Sequence, residues 1–300
     1  MSARILLLLF AAAVVAAPRP ALAQAPEACD RACLTATLNQ VIDAMLKHDP
    51  KLAPLATTFR YTENAEVVAP PEGVWKTASG LGTLQRRYVD PVSGQAVYFG
   101  HLEEEGVQNI ASFRIKVVDR KVTEGELVVG RKADGVFDPA ALAAAPPPAG
   151  PVTKEKRSSR EALLAAARSY FEGIHSYDSS IVKFHPGCVR IENGVTLTGR
   201  PIANAAPGGP AVGDCANNLA VFKPTIAAVV ARRFPVVDEE AGVVFGTAVF
   251  NRPPGAKRQD GSIYPRNLLT ELFVIENDRI RGIWAAMHYM TPDVRNAPNW

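Results

Sequence analysis

The chain has 300 residues, 47% of them hydrophobic, with 33 Lys and Arg against 30 Asp and Glu. That length accommodates two ordinary domains, each able to bury its own core. Without the N-terminal leader, which carries Arg4 and Arg19, the formal charge falls from +3 to +1, and a near-neutral chain lacks the basic footprint of a nucleic-acid binder.

Arg4 precedes an apolar run from Ile5 to Ala17, and Ala21-Leu22-Ala23 offers a cleavage site before Gln24. This predicts a secretory signal peptide over residues 1–23 and an exported product, periplasmic or extracellular. No later stretch approaches the roughly 20 apolar residues of a membrane span. A first domain is expected over residues 27–132. It opens with a helix marked by Leu34, Leu38, Val41, Ile42, Met45 and Leu46. Asp49 ends that helix as a turn or cap residue. Farther on, Phe113, Ile115 and Val117 alternate with polar residues as a half-buried strand does.

Residues 133–157 are rich in Ala and Pro and read as a semi-rigid linker. A second domain is expected over residues 158–300. Its helix carries Leu163, Leu164, Ala167, Tyr170, Phe171 and Ile174, with a capping box at Ser158-x-x-Glu161. Asp178 corresponds to Asp49. Phe273 to Ile275 leads through Asn277-Asp278 into Ile280 to Met287, a hairpin.

The two halves repeat one another. YTEN at 61–64 faces RIEN at 190–193, a shift of 129 residues. RRYVDPVSGQAVYFG at 86–100 faces RRFPVVDEEAGVVFG at 232–246, a shift of 146. The second copy carries two Pro/Gly-rich insertions, one within 194–231 and one at NRPPGAKRQDGS; such loops serve as lids or as tolerated surface additions.

Four cysteines in an exported chain point to disulfides. They allow three pairings, of which Cys29–Cys33 and Cys188–Cys215 are favoured by position. A zinc site is the rival reading, but CxxxC lacks a second ligand pair at zinc spacing. The chain contains no GxSxG, HExxH, GxGxxG or P-loop. No metal or organic cofactor is expected.

The segments CDRACL, HDPKLAPLATTFRYTEN, EGVWKTASGLGT, YVDPVSGQ and KVTEGE resemble the first half of a family of secreted fungal and bacterial proteins of unknown function. SYFEGIHSYD, HPGCVRIENG, the later Cys215 and RRFPVVDEEAGVVF resemble its second half. That family in turn resembles the SnoaL-like superfamily, also called nuclear transport factor 2-like or cystatin-like α+β cones. The resemblance implies two tandem cones, each a bent antiparallel sheet wrapped on a helix with a pocket at its mouth, packed as an internal pseudo-dimer. A further homodimer is compatible with it. Superfamily members include isomerases, dehydratases, hydrolases, cyclases and binding domains, so the fold does not settle function. Members often end in Pro-Tyr, where this chain has His288-Tyr289-Met290.

On that basis the second copy is the expected active half. Its last strand is expected to line the pocket, with His288 as general base. Asp238, His185 and Tyr289 complete the expected catalytic set. Arg233, Arg190, Glu192, Asn193, Trp284 and Tyr177 are expected to contact substrate. An inward-facing Arg needs a carboxylate partner, for which Asp238 or Glu192 is available. Repetition of Glu63 and Asn64 at Glu192 and Asn193 also fits a shared structural job. The expected activity is a cofactor-independent lyase or isomerase acting on a small oxygenated molecule. The alternatives are a noncatalytic ligand-binding or envelope-interaction protein, or a structural module.

Overall fold

The computed structural model describes residues 28–198, 200–201, 211–219, 223, 225–257, 261, 263 and 266–290. The expected leader, most of the first insertion and part of the second lie outside the described residues.

The first unit runs α1 (Arg31–Leu46), β1 (Leu55–Glu63), β2 (Glu66–Val67), α2 (Val74–Thr77), β3 (Ala78–Asp90), β4 (Gln95–Glu104), β5 (Val107–Val118) and β6 (Lys121–Gly130). Its sheet has the order β2-β1-β6-β5-β4-β3, antiparallel except where β1 lies parallel to β6. After α3 (Pro139–Ala144), the second unit runs α4 (Arg160–Ser176), β7 (Phe184–Glu192), β8 (Val195–Thr196), β9 (Arg200–Pro201), β10 (Ala211–Val212), α5 (Cys215–Leu219), β11 (Ala228–Asp238), β12 (Val243–Asn251), β13 (Asn267–Glu276) and β14 (Arg279–Tyr289). Its main sheet, β11-β12-β13-β14-β7-β8, repeats the first, with β7 parallel to β14. The chain is thus two tandem α+β cones of the nuclear transport factor 2-like type.

Local chemistry sets the element ends. Asp30 caps α1 by accepting the Cys33 N–H at 2.8 Å. Ser159, not Ser158, caps α4 through the Ala162 N–H at 3.2 Å. Ser158 instead accepts the Asp278 N–H at 2.8 Å, so the expected capping box does not form. Asp49 and Asp178 accept the N–H groups of Lys51 and Ser180 at 3.0 and 2.9 Å, closing matching turns. Asn277 and Asp278, with φ of 50° and 61°, make the left-handed turn between β13 and β14.

Each helix fills the concave face of its own sheet. The first core joins Leu34, Leu38, Val41 and Met45 of α1 to Tyr61, Phe113, Ile115 and Leu127. Around Tyr98, Phe113 and Leu127 it leaves only about 10 Å³ of room. In the second, Leu163, Ala167, Tyr170, Phe171 and Ile174 of α4 pack on Val244, Phe250, Leu269, Phe273, Ile283 and Met287.

The convex faces of the two sheets meet in a third core that includes Leu84, Tyr88, Val97 and Phe99 from one unit and Val236, Phe245, Leu272 and Trp284 from the other. The connecting segment is docked rather than free. Leu142 of α3 is buried in the same core, and the carbonyls of Ala145, Pro147 and Pro148 accept Trp284 Nε1, Arg86 Nε and Tyr88 Oη at 2.7–2.8 Å.

Strand register corrects the repeat alignment. Asp90 opposes Gln95 and Asp238 opposes Val243, so the β3–β4 and β11–β12 hairpins correspond at a shift of 148, not 146. The last hairpins, Val118–Lys121 and Glu276–Arg279, correspond at 158. On this register Ser112 and Thr270 are equivalent, and their hydroxyls meet each other at 2.5 Å. The near-twofold axis relating the units therefore passes between them.

Candidate functional site

Cys29–Cys33 and Cys188–Cys215 are both disulfide-bonded, with Cα separations of 5.3 and 5.4 Å. The second fastens α5 onto the concave side of β7, where Cys215 and Leu219 join the second core. No helix among the described residues is long and apolar enough to cross a membrane. The two disulfides are consistent with export.

Several sequence-predicted site residues do other work. Asp238 is buried and gripped by Arg31 of the first unit at 2.7 and 3.0 Å. It also accepts the Val89 and Ala241 N–H groups. Its lone pairs are thereby committed to holding the units together. His288 pairs with Leu268 on the convex side of the sheet. Its Nδ1 stands 3.1 Å from Asp134, an ion-pair distance without hydrogen-bond alignment. The alternation that buries Met287 in the cone turns its neighbour away from it. Trp284 faces the same way, into the shared core.

His185, near the start of β7, contacts the carbonyl of the next residue, Pro186, at 2.6 Å. Tyr177 ends α4 in a left-handed conformation, and its hydroxyl donates to the Ile226 carbonyl. Tyr289 packs at the edge of the second core, and its N–H donates to Asp134. Arg233 finds its carboxylate in Glu126 of the first unit rather than in Asp238 or Glu192. Burial opposes the charge on Glu126, but Arg233 and Arg114 outweigh it and hold the carboxyl below its ordinary range. Asn193, at φ 40°, extends β7 with its side chain. Its amide exchanges hydrogen bonds with the backbone of Met287 at 2.8 Å each way. Asn64 does the same for Val129.

Two expected residues do meet inside the second cone. Arg190 and Glu192 lie two apart on the concave face of β7 and form a buried ion pair. The structure adds two groups that the sequence reading had not assigned to a site. Glu271, on central strand β13, opposes Ala285, which in turn opposes Glu192. The Glu271 side chain is fully buried, and neither carboxylate oxygen has a hydrogen-bond partner among the described residues. Tyr170 descends from α4 into the same region. Its hydroxyl meets no partner in hydrogen-bond geometry, although Arg190 is close enough to act on it.

Burial pushes the Glu271 carboxyl up to about 8, against the opposing pull of Arg190. The same burial raises Tyr170 well above the ordinary phenol range, so it stays a neutral donor. Aromatic rings form the wall: Phe273, Phe171 and Phe184 lie 5.3, 5.9 and 6.2 Å from the Tyr170 ring, centroid to centroid.

The repeat register gives this cluster its meaning. At shifts of 129, 129 and 158, Tyr170, Arg190 and Glu271 occupy the places of Val41, Tyr61 and Phe113. In the first unit those three are core, with Tyr61 and Phe113 in edge-to-face contact at 6.2 Å. One scaffold thus places two apolar side chains and a hydrogen-bonded tyrosine in one copy where the other has a tyrosine, an arginine and an unpartnered glutamate. A sequence signal existed: Glu271 is the only charged residue within Leu268–Ile275, LLTELFVI.

A family model described as Domain of unknown function (DUF8021) matches residues 156–287, which span the cluster. No curated protein matches the chain. Among solved structures, the chain is similar to a protein of unknown function with cystatin-like fold from Methylobium petroleophilum (17% identity, TM-score 0.30, covering 46% of this chain and 82% of that one). It is also similar to a nuclear transport factor 2-like protein from Burkholderia xenovorans (10%, 0.30, 44% and 92%). A third is AusH from Aspergillus nidulans (15%, 0.29, 45% and 90%). At these scores the fold assignment rests on the strand order and the enclosed helices.

Proposed function

We propose that the second unit is an exported, cofactor-independent lyase or isomerase that moves a proton within a small oxygenated molecule. The observation that carries this reading is the replacement of the Val41–Tyr61–Phe113 core by Tyr170–Arg190–Glu271 at equivalent positions. A buried carboxyl without a partner costs about 1–3 kcal/mol or more, and strongly perturbed groups of this kind concentrate at functional sites.

Glu271 is the acid–base residue. With its carboxyl titrating at about 8, both protonation states are populated near neutral pH, which suits a group that takes and returns a proton. The carboxylate removes a proton from a carbon next to a carbonyl, and the Tyr170 hydroxyl donates to the carbonyl oxygen as charge develops there. The proton then goes to another carbon, giving isomerisation, or to a departing hydroxyl, giving dehydration. The Arg190–Glu192 pair holds the floor of the site and limits how far the Glu271 carboxyl rises.

The test is deuterium incorporation, followed by NMR, into a panel of enolisable cyclic and aromatic ketones in D₂O. The intact protein is expected to exchange at least one compound above the buffer rate, and Glu271→Gln to return it to that rate. Equal rates for the two proteins across the panel would sink the proposal.

A further inference from the structure

A buried arginine ordinarily marks a place for an anion, but Arg190 is already committed. Glu192, two residues along the same face of β7, forms an ion pair with it. Among the described residues, the other surfaces around Glu271 add no charge. Concave β12 presents Val244, Ala248 and Phe250, β14 presents Ile283 and Met287, and α4 presents Leu163, Ala167, Tyr170, Phe171 and Ile174. Glu172 and Arg232 pair with each other on the outer side of α4. Among the described residues, the interior therefore holds one cation, one balancing anion, two oxygen-bearing groups without a hydrogen-bond partner and an aromatic wall.

We infer that Glu192 sets the charge selectivity of this site, so that it takes an uncharged cyclic or aromatic carbonyl compound and turns away the carboxylate of the same skeleton. The inference rests on the reading of the cone as the ligand site. A neutral carbonyl oxygen can accept from the Tyr170 hydroxyl and from the protonated Glu271 carboxyl. A carboxylate would enter a low-dielectric space whose cation among the described residues is already neutralised, and an uncompensated buried charge is strongly disfavoured. Removing the charge of Glu192 would leave the Arg190 charge unbalanced by that residue and make room for the carboxylate beside it.

The test is calorimetric titration of the intact chain with 2-acetonaphthone and with 2-naphthoate, which share a ring system and differ in charge. It is run at about pH 6.5, below the point where Glu271 ionises. Wild type is expected to bind the ketone at least about tenfold more tightly. Glu192→Gln is expected to close or reverse that gap, a change of roughly 1.4 kcal/mol or more. Arg190→Gln/Glu192→Gln removes both charges and leaves the balance intact, so it is expected to keep the ketone preference. This double variant also decides the matter if Glu192→Gln does not fold. Wild type binding the carboxylate equally well, or binding neither probe, overturns the inference, as does an unchanged ratio in Glu192→Gln or a lost preference in the double variant. Binding and deuterium exchange fail separately. Ketone preference without exchange would leave the selectivity standing and remove the proposed reaction; exchange without ketone preference would do the reverse.

Discussion

Arg31, the first residue of α1, reaches out of its own unit and closes on Asp238 of the other at 2.7 and 3.0 Å. Its repeat equivalent, Arg160, closes on Asp90 at the same two distances. Each aspartate also accepts the backbone N–H beside its counterpart, Val89 to Asp238 at 2.9 Å and Val237 to Asp90 at 3.1 Å. The two units are thus clamped by a reciprocal pair of ion pairs about the axis through Ser112 and Thr270. Charge-assisted hydrogen bonds of this kind contribute about 1.5–3 kcal/mol each. Asp90→Asn and Asp238→Asn should each lower stability by roughly 2–3 kcal/mol in urea denaturation, and non-additively when combined, since each aspartate holds the N–H beside the other. Burial works against the Asp90 charge, but Arg160 and the hydrogen bonds around it hold its carboxyl below the ordinary value. Its contribution is therefore present above the unfolded carboxylate value and is lost as pH falls through the folded one. Asp90→Asn should flatten that part of the acid limb.

Glu271 has the opposite sign. Its folded carboxyl titrates at about 8, above the unfolded value of 4.5. The folded state then binds the extra proton between those values. Its contribution is fully present below about 4.5 and is lost as pH rises through about 8. Glu271→Gln should be more stable than wild type at pH 8–9 by an amount on the order of a few kcal/mol, and the difference should shrink toward pH 5. Parallel stability–pH curves for the two proteins would show that Glu271 is ionised in the folded state throughout.

Asn193 completes the ladder that β7 leaves unfinished, with one donor and one acceptor on Met287. Asn193→Ala removes both bonds at a buried position and should cost about 2 kcal/mol. Deuterium exchange per folded molecule should stay at the wild-type rate. Loss of exchange at unchanged stability would instead place the amide at the substrate.

Giving the second unit the interior of the first is a direct test of equivalence. Tyr170→Val, Arg190→Tyr and Glu271→Phe together should yield a folded protein with no exchange activity. Replacing buried charged groups by well-packed apolar ones is often stabilising by about 1–4 kcal/mol, read here as a raised urea midpoint. Glu192 would then face a phenol, as Glu63 faces Tyr61 at 2.8 Å. Failure to fold would mean that the two interiors are not interchangeable.

Much of the architecture is legible in the sequence because it depends on local chemistry. Helix periodicity placed α1 and α4, Asp49 and Asp178 closed their turns, and Asn277-Asp278 carried the last hairpin. The N-cap was misplaced by one residue because Ser158 and Ser159 are adjacent and only tertiary contact with Asp278 separates their roles. The linker composition masked α3, whose Leu142 is held by the shared core. The candidate site was harder to read. β13 is covered by α4 on one face and by the other sheet on the opposite face, so its residues are buried without alternation. Nothing local says that Glu271 faces the cone while Thr270 faces the axis. His288 attracted notice as a titratable residue on the last strand, yet one step of the pleat sends it to the convex side. Arg190 stands where the first copy has Tyr61, whereas Glu192 repeats Glu63, so repetition alone also fitted a structural job for it.

The near-twofold axis through a single covalent chain also governs what each half is able to become. In an assembly of identical subunits every substitution appears twice, so a buried Glu–Arg–Tyr cluster in one interior would be mirrored in the other and its desolvation cost incurred twice. A fused chain escapes that constraint. Here one half keeps an interior in which the Tyr61 hydroxyl is satisfied by Glu63 and acts as a keel, while its twin carries the instability of an unpartnered carboxyl. The asymmetry of the molecule lies less in its backbone than in three side chains that the fusion left free to differ.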